Sequence, residues 1–409
     1  MTITASENEA YIPQGWHCRY LGNLEFFNLI MGQSPSSNNY SEEKIGLPFL
    51  QGNADFGLMY PVPKIYCKEP LKIAEKDDVL ISVRAPVGEV NIASERYCIG
   101  RGLGAIRPKD KNDSKFLYYY LTHYRHEFET KSAGSTFKAI VKNDLEKFPV
   151  LFPPSEEKQR ISTILTTIDD AIQRSRQVVA ETERFKAGVM HELMTNGIGH
   201  KGFREDPDVG RMPKEWNVKP LDELIEIIDC KHYTPTYVEN GFPIVRPQNI
   251  GIDGIDFVSC ANVSRQEFLL MNEKHSPKRG DIVYSRNASF GIPAYVDESR
   301  EFCIGQDMVV MTESTADTKY IFFVLCSNNI QQQLKQQSGG STIQRINLKD
   351  IRRLLIPEPS KVEQQQIANI LTTLDHKITL QRQRTAHYEK LKKGLMNELL
   401  TGKRRVAVT

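Results

Sequence analysis

"ISTILTTIDDAI" runs from Ile161 to Ile172, and "IANILTTLDHKI" runs from Ile367 to Ile378. The two segments lie 206 residues apart and share the tetrapeptide ILTT. One segment carried twice at long range calls for a search along the whole chain, because a missed repeat misassigns the fold.

The repeat extends through the sequence. "IPQGWHCRYLGNL" (Ile12 to Leu24) matches "MPKEWNVKPLDEL" (Met212 to Leu224), which pairs Trp16 with Trp216, the only two tryptophans. "GLPFLQGN" from Gly46 resembles "GFPIVRPQN" from Gly241, and "DVLISVRAPVGEV" from Asp78 resembles "DIVYSRNASFGI" from Asp281. "CIGRG" at Cys98 matches "CIGQD" at Cys303, and "SAGSTFKAI" from Ser132 matches "SGGSTIQRI" from Ser338. The offset drifts from 200 at the tryptophans to 205 at the cysteines, then holds at 206 from Ser132 through Thr195. Drift marks loops of different length. A fixed offset marks an element whose length matters.

That element reads as helix. A 4-3 spacing from Ile161 takes in Leu165, Ile168, Ile172, Ser175, Val179 and, further on, Leu193. The same spacing from Ile367 takes in Leu371, Leu374, Ile378, Gln381, Leu395 and Leu399. A period of 3.5 held over more than four heptads predicts a coiled-coil seam. At about 1.5 Å per residue, such a helix forms a rod of roughly 60 Å. Each seam needs a partner, and antiparallel pairing of the two helices supplies it; packing of each helix on its own domain is the simpler alternative. Prolines before each helix (Pro153, Pro154; Pro357, Pro359) and a glycine after each (Gly197, Gly402) suit its ends.

The expected organisation is a first globular domain over 12–154, a helix over 155–196, a linker over 197–214, a second domain over 215–360, a helix over 361–401 and a basic tail over 402–409. Each domain mixes short β-rich runs with one helix before the Ser/Gly loop, Ser114 to Lys131 and Thr318 to Gln337. The fold class is α+β (mixed α/β), two tandem domains with an internal pseudo-twofold repeat.

Composition narrows function. Apolar residues make up 40% and charged residues 25%, as in ordinary globular proteins. The N-terminus lacks the basic flank and apolar run of a signal peptide, and an odd number of cysteines, seven, without CxxC fits a reducing cytoplasm. Residues 1–154 carry 18 basic and 18 acidic side chains, and residues 212–360 carry 16 and 19. Domains so nearly neutral need a partner to supply much of any phosphate grip.

No phosphate loop, nucleophile elbow or zinc helix is present. "FPPS" (Phe152 to Ser155) lacks the features of a methyltransferase tetrapeptide and reads as a helix boundary. His123 and His126 could share a metal only with a third ligand, and Cys98 and Cys303 read as core thiols. What remains is doubled polar loops. Ser135, Thr136 and Lys138 in one copy, and Ser341, Thr342, Gln344 and Arg345 in the other, offer hydroxyls, free amides and cations suited to phosphates; closing the preceding helix is the plainer role. Ser82 with Arg84, and Ser285 with Arg286 and Asn287, sit on turns after strands, where Arg suits guanine and Asn suits adenine. A third pair is Gln51 with Asn53, and Arg246 with Gln248 and Asn249. The copies differ most in these side chains while the scaffold residues match, as two readers on one frame would.

From Ile12 to Thr401 the chain resembles the specificity subunit of type I restriction-modification enzymes. "SGGST…IPEPSKVEQQQIANILTTLD", its partner "SAGST…PPSEEKQRISTILTTIDD" and the C-terminal "LMNELLTGKRRV" carry the resemblance. The departures are small: Ala133 stands where the second copy has Gly339, and "EEKQR" where it has "EQQQ". The resemblance implies two target-recognition domains, each reading half of a bipartite, asymmetric DNA site, with the helices setting the gap. It implies no catalysis and no cofactor in this chain. It implies docking of two modification subunits, which use S-adenosylmethionine to methylate adenine N6, and of restriction subunits that use ATP and Mg. Two rivals are a coiled-coil adaptor that never reads DNA and a nuclease with a disguised site.

Overall fold

The computed structural model describes residues 12–132, 139–251, 254–286, 291–337 and 346–406. Contacts divide the chain into two compact units. Unit 1 takes in the chain up to Arg176 together with Gln383 onward, and unit 2 takes in Gln177–Arg382. Each unit therefore holds a globular part, the beginning of one long helix and the end of the other.

Unit 1 contains strands β1 (His17–Tyr20), β2 (Phe27–Met31), β3 (Tyr40–Ser41), β4 (Leu47–Leu50), β5 (Ile65–Cys67), β6 (Ile73–Ala74), β7 (Val79–Ser82), β8 (Val90–Ile92), β9 (Tyr97–Ile99), β10 (Leu103–Pro108) and β11 (Pro149–Phe152). Its helices are α1 (Asp113–His123), α2 (Arg125–Ser132), α3 (Lys142–Glu146) and the start of α4 (Ser155–Asn196). An antiparallel sheet runs β2-β10-β7-β8, a mixed sheet runs β3-β5-β4-β9-β6, and β1 pairs with β11. Strand β7, "VLIS", is buried on both faces, which suits its unbroken apolar run. Helix α1 lays its aromatic run on this sheet: Phe116, Tyr119 and Tyr120 are fully buried beside Val79, Ile81 and Ile106.

Unit 2 repeats the plan. After the hairpin β12 (Phe203–Asp206) and β13 (Gly210–Pro213) come β14 (Asn217–Pro220), α5 (Leu221–Leu224), β15 (Glu226–Asp229), β16 (Tyr237–Val238), β17 (Phe242–Val245), β18 (Ile250–Gly251), β19 (Gly254–Ile255), β20 (Ala261–Val263) and α6 (Arg265–Met271). Then follow β21 (Ile282–Ser285), β22 (Pro293–Tyr295), β23 (Cys303–Ile304), β24 (Met308–Thr312), α7 (Thr318–Leu325), α8 (Asn328–Gln337), α9 (Leu348–Arg352), β25 (Leu355–Glu358) and α10 (Lys361–Leu399). Its sheets run β15-β24-β21-β22 and β16-β20-β17-β23, and β14 pairs with β25. The four-stranded sheet and the terminal strand pair repeat those of unit 1, while the second sheet lacks a counterpart of β6 and a β18-β19 pair is added. The mixed α and β class and the doubled domain of the sequence reading are present.

Two local expectations change. The single helix before each Ser/Gly loop is broken, at Tyr124 in unit 1 and at Cys326-Ser327 in unit 2. In unit 2 the break falls where the apolar "YIFFVL" gives way to "NNIQQQ", whose leading polar residues favour a helix start. The segment read as linker carries the hairpin β12-β13. Its polar composition concealed Val209 and Met212, which are buried in the unit 2 core.

The long helices pair antiparallel in each unit. In unit 1, Lys392 meets Asp169 at 2.6 Å, Arg176 meets Glu389 at 2.5 Å, and the buried hydroxyls of Ser175 and Thr385 bond at 2.7 Å. In unit 2, Lys186 meets Asp375 at 2.5 Å and Arg382 meets Glu183 at 2.6 Å. Partner numbers fall on one helix as they rise on the other, which is the antiparallel signature. The apolar ends of the seams also enter the globular cores. Ile161, Leu165 and Leu399 lie in the core of unit 1, and Leu193, Ile367 and Leu371 in that of unit 2. Ile172, Leu374 and Ile378 are buried as well, while Ile168, Val179 and Leu395 are half-buried. Both modes of packing therefore contribute.

One arrangement closes each unit. In unit 1 the Trp16 indole N–H donates to the buried Glu157 carboxylate at the start of α4 (3.3 Å), which also accepts from Arg405 Nη2 (2.7 Å) and the Val406 amide (3.2 Å). In unit 2 the Trp216 indole donates to Glu363 at the start of α10 (3.1 Å), which meets His200 Nε2 (3.0 Å) and accepts from the Ile198 amide (2.8 Å). Gly197 and Gly402 both take positive φ, 59° and 69°, as each helix ends. A Cβ on Gly197 would lie 2.6 Å from Glu363 Oε1, so only glycine fits there.

The two closures differ in their response to pH. Burial lowers the His200 pKa, but hydrogen bonds and charge from Glu363 and Glu215 outweigh it and hold the imidazole above its ordinary value. A raised pKa stabilises the fold below the ordinary value of about 6.5 and loses that contribution as pH rises through the raised one. Arg405 stays charged throughout. Urea midpoints at pH 6 and pH 8.5 should therefore diverge more for the natural chain than for His200→Gln; an equal pH difference in both would refute the assignment.

Candidate nucleic-acid interface

The strand registers bring distant loops to one rim of each central sheet. In unit 1, Met31 faces Gly104 and Ser82 faces Leu103, so the ends of β2 and β7 lie beside the beginning of β10. Strands β4 and β9 run parallel, Leu50 beside Ile99, and finish at the same rim. Backbone bonds stitch the loops together. Gly100 N–H donates to Leu50 O (2.8 Å), Gln33 N–H to Ile99 O (3.0 Å), Val83 N–H to Gly102 O (2.9 Å) and Ile140 N–H to Val83 O (2.9 Å). Arg84 and Ala139 form a β-bridge, which sets the exit of the Ser/Gly loop against the turn after β7.

Unit 2 makes the equivalent connections. Gly305 N–H donates to Val245 O (2.8 Å), Cys230 N–H to Met308 O (3.3 Å), Arg286 N–H to Asp307 O (2.7 Å) and Ile346 N–H to Arg286 O (2.9 Å). Each unit thus gathers four or more loops, remote in sequence, on one surface.

The residues singled out in the sequence meet different fates there. Ser135, Thr136, Lys138, Asn287, Ser341, Thr342, Gln344 and Arg345 lie outside the described residues. Gln51, Arg84 and Gln248 are exposed at the rim, and Asn53 and Arg246 are half-buried. Ser82 is buried and holds its turn: its Oγ donates to Pro86 O (2.8 Å) and accepts from the Glu89 amide (2.9 Å). Ser285 is buried as well. Asn249 is buried and caps a turn, its Oδ1 accepting from the Arg246 amide (3.0 Å) and its Nδ2 donating to Ser259 (3.0 Å).

Arg286 departs from its match Arg84. Its side chain is buried, donating from Nη1 to Asp229 (2.8 Å) and from Nε to Ile346 O (3.2 Å). That guanidinium is committed to joining β15, β21 and the returning chain, so it braces the rim and does not face solvent. The proposed base contact by Arg286 is corrected accordingly.

Topology also brings in residues that sequence reasoning passed over: Ser34 and Arg101 in unit 1, and Lys231, Thr234 and Gln306 in unit 2. Ser34 Oγ accepts from the Arg101 amide (3.1 Å), and Gln306 Nε2 donates to Thr234 Oγ1 (3.1 Å). The sequence did hold a signal, because Arg101 and Gln306 directly follow the matched "CIG" and are where the copies part.

The remaining candidates stay structural. Burial pushes the Cys98 and Cys303 thiols up to about 12, so neither is a thiolate at neutral pH. His123 is lowered to about 4, by burial first and then by His126 and Lys403. No group of three metal-ligating side chains exists among the described residues, and no described helix is long and apolar enough to cross a membrane.

The family model for the type I restriction modification DNA specificity domain matches residues 13–183 and again 213–390. The chain belongs to that family. It is 25% identical over 406 residues to the type I restriction enzyme MjaVIII specificity subunit of Methanocaldococcus jannaschii, covering 97% of this chain and 94% of that one. It is 46% identical over 188 residues to the MjaX specificity subunit of the same organism; that match spans 46% of this chain and 44% of the relative. Its fold resembles the crystal structure of a type I restriction-modification S subunit from M. genitalium, with a TM-score of 0.62, 16% identity and 98% of each chain covered.

Arg286 and Arg84 give a direct comparison. Arg286→Ala should cost roughly 3 kcal/mol in urea unfolding, because it removes a buried guanidinium that pairs with Asp229 and donates to Ile346 O. Arg84→Ala, on an exposed turn, should stay within about 0.5 kcal/mol. Equal losses would contradict the buried brace.

Proposed function

We propose that this chain is the DNA-reading subunit of a type I restriction-modification complex, each unit recognising one half of a bipartite, asymmetric site. The observation that supports it most is the doubled rim: two units build the same loop cluster on the same strands, yet present different polar side chains. Readers of unlike sequences on one scaffold need that arrangement. The long helices set the spacing between half-sites.

The chain assembles with modification and restriction subunits in the cytoplasm, two modification subunits per chain. Near-neutral charge in both globular parts accords with such partners, since phosphate contacts dominate affinity and need cations from somewhere. The modification subunits supply S-adenosylmethionine chemistry on adenine N6, and the restriction subunits use ATP and Mg. The target adenine leaves the helix stack to reach the methyltransferase site, so this chain holds the duplex while its partner flips the base. A coiled-coil adaptor would have no use for two such rims.

Methylome sequencing of cells carrying this chain and its cognate modification subunit tests the reading. N6-methyladenine in a split asymmetric motif, absent without this chain, is expected; the same methylation without it refutes the proposal. Exchanging residues 12–154 for those of another family member should replace one half-site only. Lengthening both long helices by one four-residue turn should widen the gap and leave both half-site sequences intact. An unchanged gap in a folded protein would dismiss the spacer role.

A further inference from the structure

The tripeptide Gly100-Arg101-Gly102 is held by backbone on every side. Gly100 N–H donates to Leu50 O, Gly102 O accepts from Val83 N–H, and the Arg101 amide donates to Ser34 Oγ. The glycines permit this approach. A Cβ on Gly102 would lie 2.6 Å from Gln51 O, and one on Gly32 would lie 2.2 Å from Gly100 O. Arg101 is therefore the one side chain that leaves the tripeptide. It is exposed, and among the described residues its guanidinium has no hydrogen bond or ion pair. Arg84 is likewise exposed at this rim, on the turn after β7, but two other rim arginines contrast with Arg101. Arg286 is consumed by Asp229, and Arg246 lies with its guanidinium 5.2 Å from the Tyr237 ring.

The geometry points to Arg101 as the residue by which unit 1 reads a guanine in its half-site. A guanidinium offers two parallel N–H donors, and the O6 and N7 edge of guanine offers two acceptors at matching separation in the major groove. A fixed backbone under a free guanidinium suits that contact, because base discrimination needs a defined position whereas phosphate attraction does not. At the equivalent position unit 2 carries Gln306, a side chain suited to adenine, so the position varies as a reading position should. This inference rests on unit 1 recognising one half of a split site.

The test uses the complex of this chain with its modification subunit. The natural complex first defines the motif, and exchange of residues 12–154 assigns one half to unit 1. Absence of any split motif would defeat the functional reading itself. Competition binding then compares the natural chain with Arg101→Lys, using duplexes substituted at each position of both half-sites. Lysine keeps the charge and loses the paired donors. At one guanine of the unit 1 half-site, preference over adenine should fall about tenfold, with every other position unchanged. Arg101→Ala should lose the same preference along with some overall affinity. A uniform loss at all positions, full discrimination in both variants, or a unit 1 half-site without guanine would each overturn the inference.

Discussion

A buried carboxylate at the first turn of each long helix is the constraint on which the rest depends. Glu157 is 1% exposed and Glu363 8%. An unpaired carboxylate at such burial would be strongly unfavourable. Each is therefore surrounded by donors: an indole N–H from the start of the domain, a backbone amide, and a cation or imidazole from the segment following the other long helix. The positive end of the helix dipole adds to the same effect. One carboxylate thereby fixes three pieces of chain remote in sequence, and each unit closes on itself.

This explains why the only two tryptophans occupy equivalent places. The sequence shows that Trp16 and Trp216 correspond, but nothing local marks Glu157 or Glu363 as their partners. Both glutamates stand in polar runs, "SEEKQR" and "KVEQQQ", that read as a solvated first turn. Burial there comes from tertiary approach, which periodicity does not encode. The heptad seams were the opposite case: their partner shares the same repeat, so spacing alone placed Ile161 through Leu399 on inward or half-inward faces. At the polar centre the spacing named the positions but not their partners. Ser175 meets Thr385, because antiparallel register joins residues whose numbers sum to nearly the same value.

The candidate interface was legible by kind and less so by residue. Divergence between copies located the loops, and strand order, which is not sequential, brought them together. The sequence could not show that the Arg286 side chain turns inward while Arg84 stays out. The difference lies in Asp229, an acidic partner on β15, where the equivalent position on β2 is Met31. An acidic neighbour at the strand end draws the guanidinium into the rim; a thioether offers it nothing. Matching motifs therefore identified equivalent positions without identifying equivalent roles.

The constant 206-residue offset follows from how each unit is composed. Unit 1 pairs the beginning of α4 with the end of α10, and unit 2 pairs the end of α4 with the beginning of α10. A residue added to one helix alone would displace its partners in one unit or the other. Lys392 would miss Asp169, or Lys186 would miss Asp375, and a carboxylate would lose its cation at one closure. Loops in the globular parts answer to no such pairing, so their offset is free to drift. Length is the same in both copies where two helices must match residue for residue, and it varies in the loops, where no such pairing constrains it.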